Sequence, residues 1–271
     1  MKKLLLSLIC VLALCAFTDT KPVRVFMVGD STMANKDTTG GKQERGWGMA
    51  LSEYFNDEVV ISNHAVNGRS TKSFIDEGRW QKVLDELQPG DYVIIQFGHN
   101  DEKKNDPKRY TEVGGSFDNN LRRYVNEAKA KGANPILLNC VARRNFSAPT
   151  GKVIDDEGLR DKAFEGGDDL KGGGDTLIDT HGAYREVPRA IAKELGVPFI
   201  DANKVTSDLE QGLGAEGSKK LHMIYSPGEC PAYPKGRQDN THYNQIGARI
   251  VAGLLAIEIG NQVPALRRHL K

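Results

Sequence analysis

The sequence predicts a single α/β domain: a parallel five-stranded sheet with helices on both faces, a three-layer α/β/α sandwich. Short apolar runs alternate with helical patterns, the order expected of a doubly wound parallel sheet. The 271 residues carry no internal repeat and no shift of composition that would mark a second domain. Less an apolar amino terminus, the length suits one domain with a sizeable core.

Taken in order, Met1 to Thr20 has the plan of a bacterial export signal: Lys2 and Lys3, then Leu4 to Phe17 almost wholly apolar. The run is too short for a convincing membrane span, and cleavage is expected between Ala16 and Asp19. Cys15 raises a lipid anchor as an alternative, although Leu14 before it is bulky where such motifs place a small residue. The chain therefore divides into a signal at residues 1–20 and the domain at 21–271, in a secreted or periplasmic protein. The formal charge is +1, and losing Lys2 and Lys3 brings it to about −1. That balance, with no basic run, argues against nucleic acid as a partner. Of four cysteines, Cys10 and Cys15 fall in the signal; Cys140 and Cys230 remain, and export permits a disulfide without the spacing establishing one. Two cysteines and scattered histidines give no metal-ligand pattern, and no cofactor is expected.

The strand-like runs are Val23–Gly29, Glu58–Val66, Tyr92–Gly98, Pro135–Val141 and Val197–Asp201. Helical patterns lie at Trp47–Phe55, Trp80–Leu87, Asn119–Lys131, Tyr184–Leu195 and Asn244–Ile259. The glycine- and aspartate-rich piece Asp155–Asp175 reads as a surface insertion. Gly212-Leu213-Gly214-Ala215-Glu216-Gly217 fits a dinucleotide-binding expression but follows the polar helical stretch Thr206–Gln211 instead of a strand. A helix end and loop is the expectation there.

Two stretches carry chemistry. The first strand stops at Gly29-Asp30-Ser31, delivering a serine to the carboxyl edge of the sheet, where open α/β folds keep their sites. Near the far end, Asp239-Asn240-Thr241-His242 places a carboxylate three residues before a histidine. A serine nucleophile needs a base, and the base needs an acceptor on its other ring nitrogen. Each piece has a plain alternative as turn or helix-cap chemistry: Asp239 a turn residue, His242 the start of a helix, Gly68 a positive φ, Asn100-Asp101 a turn pair. Asp30 is expected to orient the serine turn by local hydrogen bonds.

With Ala65-Val66-Asn67-Gly68-Arg69-Ser70 after the second strand and Gly98-His99-Asn100-Asp101 after the third, the sequence resembles the SGNH (GDSL-type) hydrolases over nearly the whole mature chain. Gly46-Trp47-Gly48, Phe97-Gly98-His99-Asn100-Asp101 and Arg143-Arg144-Asn145-Phe146 make it similar in particular to the rhamnogalacturonan acetylesterase branch. The resemblance implies a flavodoxin-like sheet of order 2-1-3-4-5. It implies Ser31, Asp239 and His242 as catalytic residues, with an oxyanion hole from the N–H groups of Ser31 and Gly68 and the side chain of Asn100. It also implies removal of O-acetyl groups from pectic polysaccharide.

The expected partner is an acetylated polysaccharide or oligosaccharide, bound by a monomer, with no membrane unless Cys15 is lipidated. Arg69, Arg143 and Trp47 are substrate-binding candidates: arginines suit acidic sugars, and Trp47 either stacks on a sugar or packs in the core. Arg144 shares the same face, and for each arginine a structural pairing is equally open. His181, after Asp179-Thr180, imitates a second acid–base pair but reads better as structural. Cysteine at Cys140 and Cys230 departs from the family pattern. Two other functions stay open: an esterase for another acetylated glycan or short-chain ester, and a non-catalytic carbohydrate-binding protein of the same fold.

Overall fold

The computed structural model describes residues 21–146 and 174–271; the expected signal, Cys15 and nearly all of the Asp155–Asp175 insertion lie outside them. Five parallel strands form the sheet: β1 Val23–Gly29, β2 Val59–Asn63, β3 Tyr92–Gln96, β4 Asn134–Leu138 and β5 Phe199–Ile200. Their order is β2-β1-β3-β4-β5, as the family resemblance implies. Gly29 pairs with Gln96 and Met27 with Asn63, so β1 is flanked on both sides where its chain leaves the sheet.

Alternation along β1 explains the two cores. Val25 and Met27 face one layer, packed with Trp47, Leu51, Val251, Leu255 and Ile259. Phe26 and Val28 face the other, with Trp80, Val83, Leu121, Tyr124 and Ile191. The first layer comes from α1 (Trp47–Ala50) and the long α7 (Gln245–Gln262). The second comes from α2 (Thr71–Asp76), α3 (Arg79–Glu86), α4 (Ser116–Ala130) and α5 (Ala183–Leu195). The expected helix over Trp47–Phe55 is shorter than its apolar pattern: after Ala50 it tightens into a 3₁₀ turn, Leu51–Tyr54. β5 contracts to two residues, because only Phe199 and Ile200 pair with β4.

Helix α6 (Ala202–Ser218) runs through the expected loop at Gly212–Gly217, broken only at Gly214, whose φ is 67°. After it come an antiparallel ribbon that the sequence reading did not separate, β6 (His222–Tyr225) and β7 (Arg237–Tyr243). Its register jumps: His222 faces Tyr243, but Met223 already faces Asp239. Asn240, Thr241 and His242 are therefore extra on one strand and bulge from it. The chain then turns into α7, capped by Asn244, whose side chain accepts from Gly247 N–H at 2.9 Å. A Cβ on Gly247 would stand 2.0 Å from the Leu221 carbonyl oxygen, so glycine lets the helix start directly against the segment before β6. The carboxy-terminal α8 (Pro264–Arg267) closes the domain.

Candidate active site

Four loops meet at the carboxyl edge of the sheet. Ser31 follows β1 in a single turn, with Ala34 N–H donating to the Asp30 carbonyl at 3.0 Å, and no helix follows directly. Asp30 is wholly buried, and its Oδ1 accepts from Thr32 N–H at 2.9 Å and from Thr32 Oγ1 at 2.8 Å. Burial raises its pKa, and the local role expected of it is the one seen. Thr32 Oγ1 in turn accepts from Gln96 Nε2 at 2.8 Å, while Gln96 Oε1 accepts from the Trp47 indole at 2.7 Å. Trp47 is 0% exposed. It braces the serine turn from below and has no face left for a sugar, which corrects its place among the substrate contacts.

The bulge of β7 brings His242 to the serine. Nε2 of His242 stands 2.7 Å from Ser31 Oγ, and its Nδ1 lies 3.0 Å from both carboxylate oxygens of Asp239. Asp239 Oδ1 also accepts from the backbone N–H groups of Thr241 and His242, at 3.0 and 2.9 Å. The spacing thus closes a small turn inside the bulge, holding carboxylate and imidazole in one rigid piece. All three side chains are buried. The arrangement can withdraw a proton from the hydroxyl and hold the resulting imidazolium.

Asp239 has a second neighbour that the sequence reading missed. Arg237 lies 3.3 Å from its Oδ2 and donates at 2.7 Å to Glu44, which also pairs with Lys36 at 2.8 Å. Burial pushes the Glu44 carboxyl up, but His242, Lys36 and Arg237 outweigh it and hold the pKa at about 2. Glu44 is therefore a fixed negative charge that balances Arg237 beside the Asp239–His242 pair. Lys36 Nζ also reaches Asn67 Oδ1 at 2.6 Å, linking this chain of charges to the neighbouring loop.

The loops after β2 and β3 lie on the other side. Gly68 has φ 74°, which favours glycine. Asn100 Nδ2 donates to the Arg69 carbonyl at 3.0 Å, and the Val66 N–H donates to the Gly29 carbonyl at 3.0 Å, so both loops are tied to the serine strand. Asp101, whose role the motif did not disclose, is the bracket between them. Its carboxylate accepts from the N–H and hydroxyl of Thr71 at 3.0 and 2.5 Å, and from Thr111 Oγ1 at 2.7 Å. Burial raises its pKa to about 7 against those donors.

The arginine candidates are paired within the protein. Arg69 donates to Glu77 at 3.1 Å and to the Asn67 carbonyl at 2.7 Å. Arg143 meets Glu102 at 2.5 Å and Thr180 at 3.1 Å. Arg144 is buried and donates 2.7 Å to Asn240 Oδ1 and 3.0 Å to Ser218 Oγ, so it grips the bulge and not the substrate. His181 faces Glu102 at 3.0 Å and the Val141 carbonyl at 3.1 Å, a structural setting. His99 packs edge-on against it at 4.6 Å; burial, then His181 and Arg143, hold the His99 pKa well below the ordinary value. His222 has a partner that its own neighbourhood in sequence conceals: Glu210 Oε1, 2.5 Å from Nε2. Cys140 and Cys230 are both free and buried, and burial pushes the Cys140 thiol far above its ordinary pKa. Among the described residues no group of side chains is placed to hold a metal ion, and no helix is long and apolar enough to cross a membrane.

A serine, a histidine and an aspartate are thus joined at the carboxyl edge of a 2-1-3-4-5 sheet in an α/β domain. The chain belongs to the GDSL-like lipase/acylhydrolase family, whose model matches residues 27–250, and it is a carboxylic-ester hydrolase. It is 36% identical to the rhamnogalacturonan acetylesterase RhgT of Bacillus subtilis (strain 168), over 92% of this chain and 95% of that protein. The rhamnogalacturonan acetylesterase of Emericella nidulans is 29% identical over 84% of this chain and 81% of its own length. Among solved structures, the YxiM protein of Bacillus subtilis superposes with a TM-score of 0.66 at 25% identity, covering 90% of this chain and 58% of that longer one.

Proposed function

We propose that the protein is an exported acetylesterase that removes O-acetyl groups from a pectic polysaccharide, rhamnogalacturonan, through an acyl-enzyme on Ser31. The continuous relay Ser31–His242–Asp239, with Oγ 2.7 Å from Nε2, carries this reading. His242 takes the hydroxyl proton as Oγ attacks the acetyl carbonyl carbon, and Asp239 stabilises the imidazolium. Negative charge collects on the carbonyl oxygen, facing the N–H groups of Ser31 and Gly68 and the Asn100 amide. As the tetrahedral intermediate collapses, His242 returns the proton to the sugar oxygen, which leaves as an alcohol. Water, deprotonated by His242, then attacks the acetyl-Ser31 ester; acetate leaves and Oγ regains its proton.

The substrate rests on the relatives: two proteins named rhamnogalacturonan acetylesterase match along most of both chains. Acetylxylan esterase Axe2 of Geobacillus stearothermophilus shares the fold with a TM-score of 0.55 but only 15% identity, too distant to transfer its substrate. Export rests on the amino-terminal pattern. The test is acetate release from acetylated rhamnogalacturonan, acetylated xylan and nitrophenyl acetate by wild type and Ser31→Ala. The expectation is release from the pectic polymer that vanishes in Ser31→Ala. Activity confined to xylan or the small ester would remove the substrate, and full activity in Ser31→Ala would remove the mechanism.

A further inference from the structure

Asn100 is the one donor assigned to the oxyanion that can point the wrong way. A primary amide turned end for end would aim its carbonyl oxygen at the substrate's developing negative charge, converting attraction into repulsion. Two contacts fix the orientation. Nδ2 donates 3.0 Å to the Arg69 carbonyl, and Oδ1 accepts 3.1 Å from Nη1 of Arg109. A carbonyl only accepts and a guanidinium only donates, so both contacts demand the same orientation. Nδ2 carries two hydrogens; Arg69 takes one, and the other is available to the oxyanion.

Arg109 is itself held in place. Its Nε donates 2.5 Å to Asp106 Oδ2, and its backbone N–H donates 3.0 Å to the Asp106 carbonyl, closing a short turn. The same Nη1 lies 4.0 Å from where a Cβ on Gly68 would stand, so the guanidinium that bonds Asn100 also lies beside the Gly68 loop. A cation on the carbonyl end of an amide also draws electron density from its nitrogen, which strengthens the remaining N–H as a donor.

We propose that Arg109 is a positioning residue of the ester hydrolysis: by donating to the Asn100 carbonyl oxygen it fixes and polarises the amide that stabilises the oxyanion. The inference rests on the mechanism of the preceding subsection. Nothing in the Gly98–Asp101 motif announces it, because Arg109 lies nine residues downstream in an irregular loop.

A double-mutant cycle tests it, with nitrophenyl acetate turnover measured for wild type, Arg109→Met, Asn100→Ala and the double variant, each normalised to folded protein. Asn100→Ala is expected to lower kcat by about a hundredfold or more. Arg109→Met should lower kcat by about tenfold with little change in KM, yet add less than about twofold in the Asn100→Ala background. Arg109→Lys, which keeps a donor on that side, should recover most of the loss. If Arg109→Met costs the same factor in both backgrounds, or acts on KM alone, the residue does not work through Asn100 and the proposal is overturned while the oxyanion assignment stands. If Asn100→Ala is as active as wild type, the assignment and the proposal fall together.

Discussion

Arg144 enters after β4, 2% exposed, and donates to Asn240, Ser218 and the Ala215 carbonyl. Its own backbone N–H donates to the Asn240 carbonyl at 2.9 Å. One residue thus clamps Asn240, the first residue of the bulge that presents His242. Arg144→Met keeps the apolar stem but leaves buried acceptors without donors, a loss on the order of 3 kcal/mol. The variant is expected to melt well below wild type and, at temperatures where it is folded, to show a reduced kcat. A variant that melts lower with kcat intact would show that the clamp serves stability alone.

Among the elements, the loops of Gly68 and Asn100, proposed to supply the oxyanion donors, adjoin a short helix held by its first turn. Ser70 caps α2, accepting from Ser73 N–H at 3.1 Å while Ser73 Oγ accepts from Ser70 N–H at 2.9 Å. Asp101 completes the cap through Thr71, joining the loop of Gly68 to that of Asn100. Because burial lifts its pKa to about 7, above the ordinary carboxylate value of about 4, the folded state binds its proton more tightly than the unfolded chain. The stability that goes with this proton is complete below about pH 4 and is lost as pH rises through about 7. Melting temperatures of wild type and Asp101→Asn across that range should reveal it, wild type losing stability relative to the variant as pH increases. Parallel pH profiles for the two proteins would contradict the assignment.

For the molecule as a whole, what could be read in the sequence was what neighbours in sequence determine. Short apolar runs mark the strands, and Gly29-Asp30-Ser31 and Asp239-x-x-His242 mark the serine and histidine that the fold brings within 2.7 Å across 211 positions. The β6–β7 ribbon was not legible, since its register and bulge arise only when Met223 pairs with Asp239. The pairings of the arginines were hidden for the same reason. Glu77 for Arg69 lies in another element, and Glu102 for Arg143 comes from the loop after another strand. Trp47 reads as core more readily than as a sugar platform, and its indole N–H finds its acceptor in Gln96, 49 residues away. Glu44, Arg109 and Asp101 acquire their parts only from the assembled edge of the sheet.

The central claim is that Ser31 becomes acylated with His242 as its base. Treating wild type and His242→Ala with a fluorophosphonate, then mapping the adduct by peptide mass spectrometry, addresses it most directly. One adduct on Ser31 in wild type, formed with loss of esterase activity and absent or greatly slowed in His242→Ala, is the predicted result. An adduct on a different residue that abolishes activity, or equal labelling of Ser31 with and without His242, would contradict it.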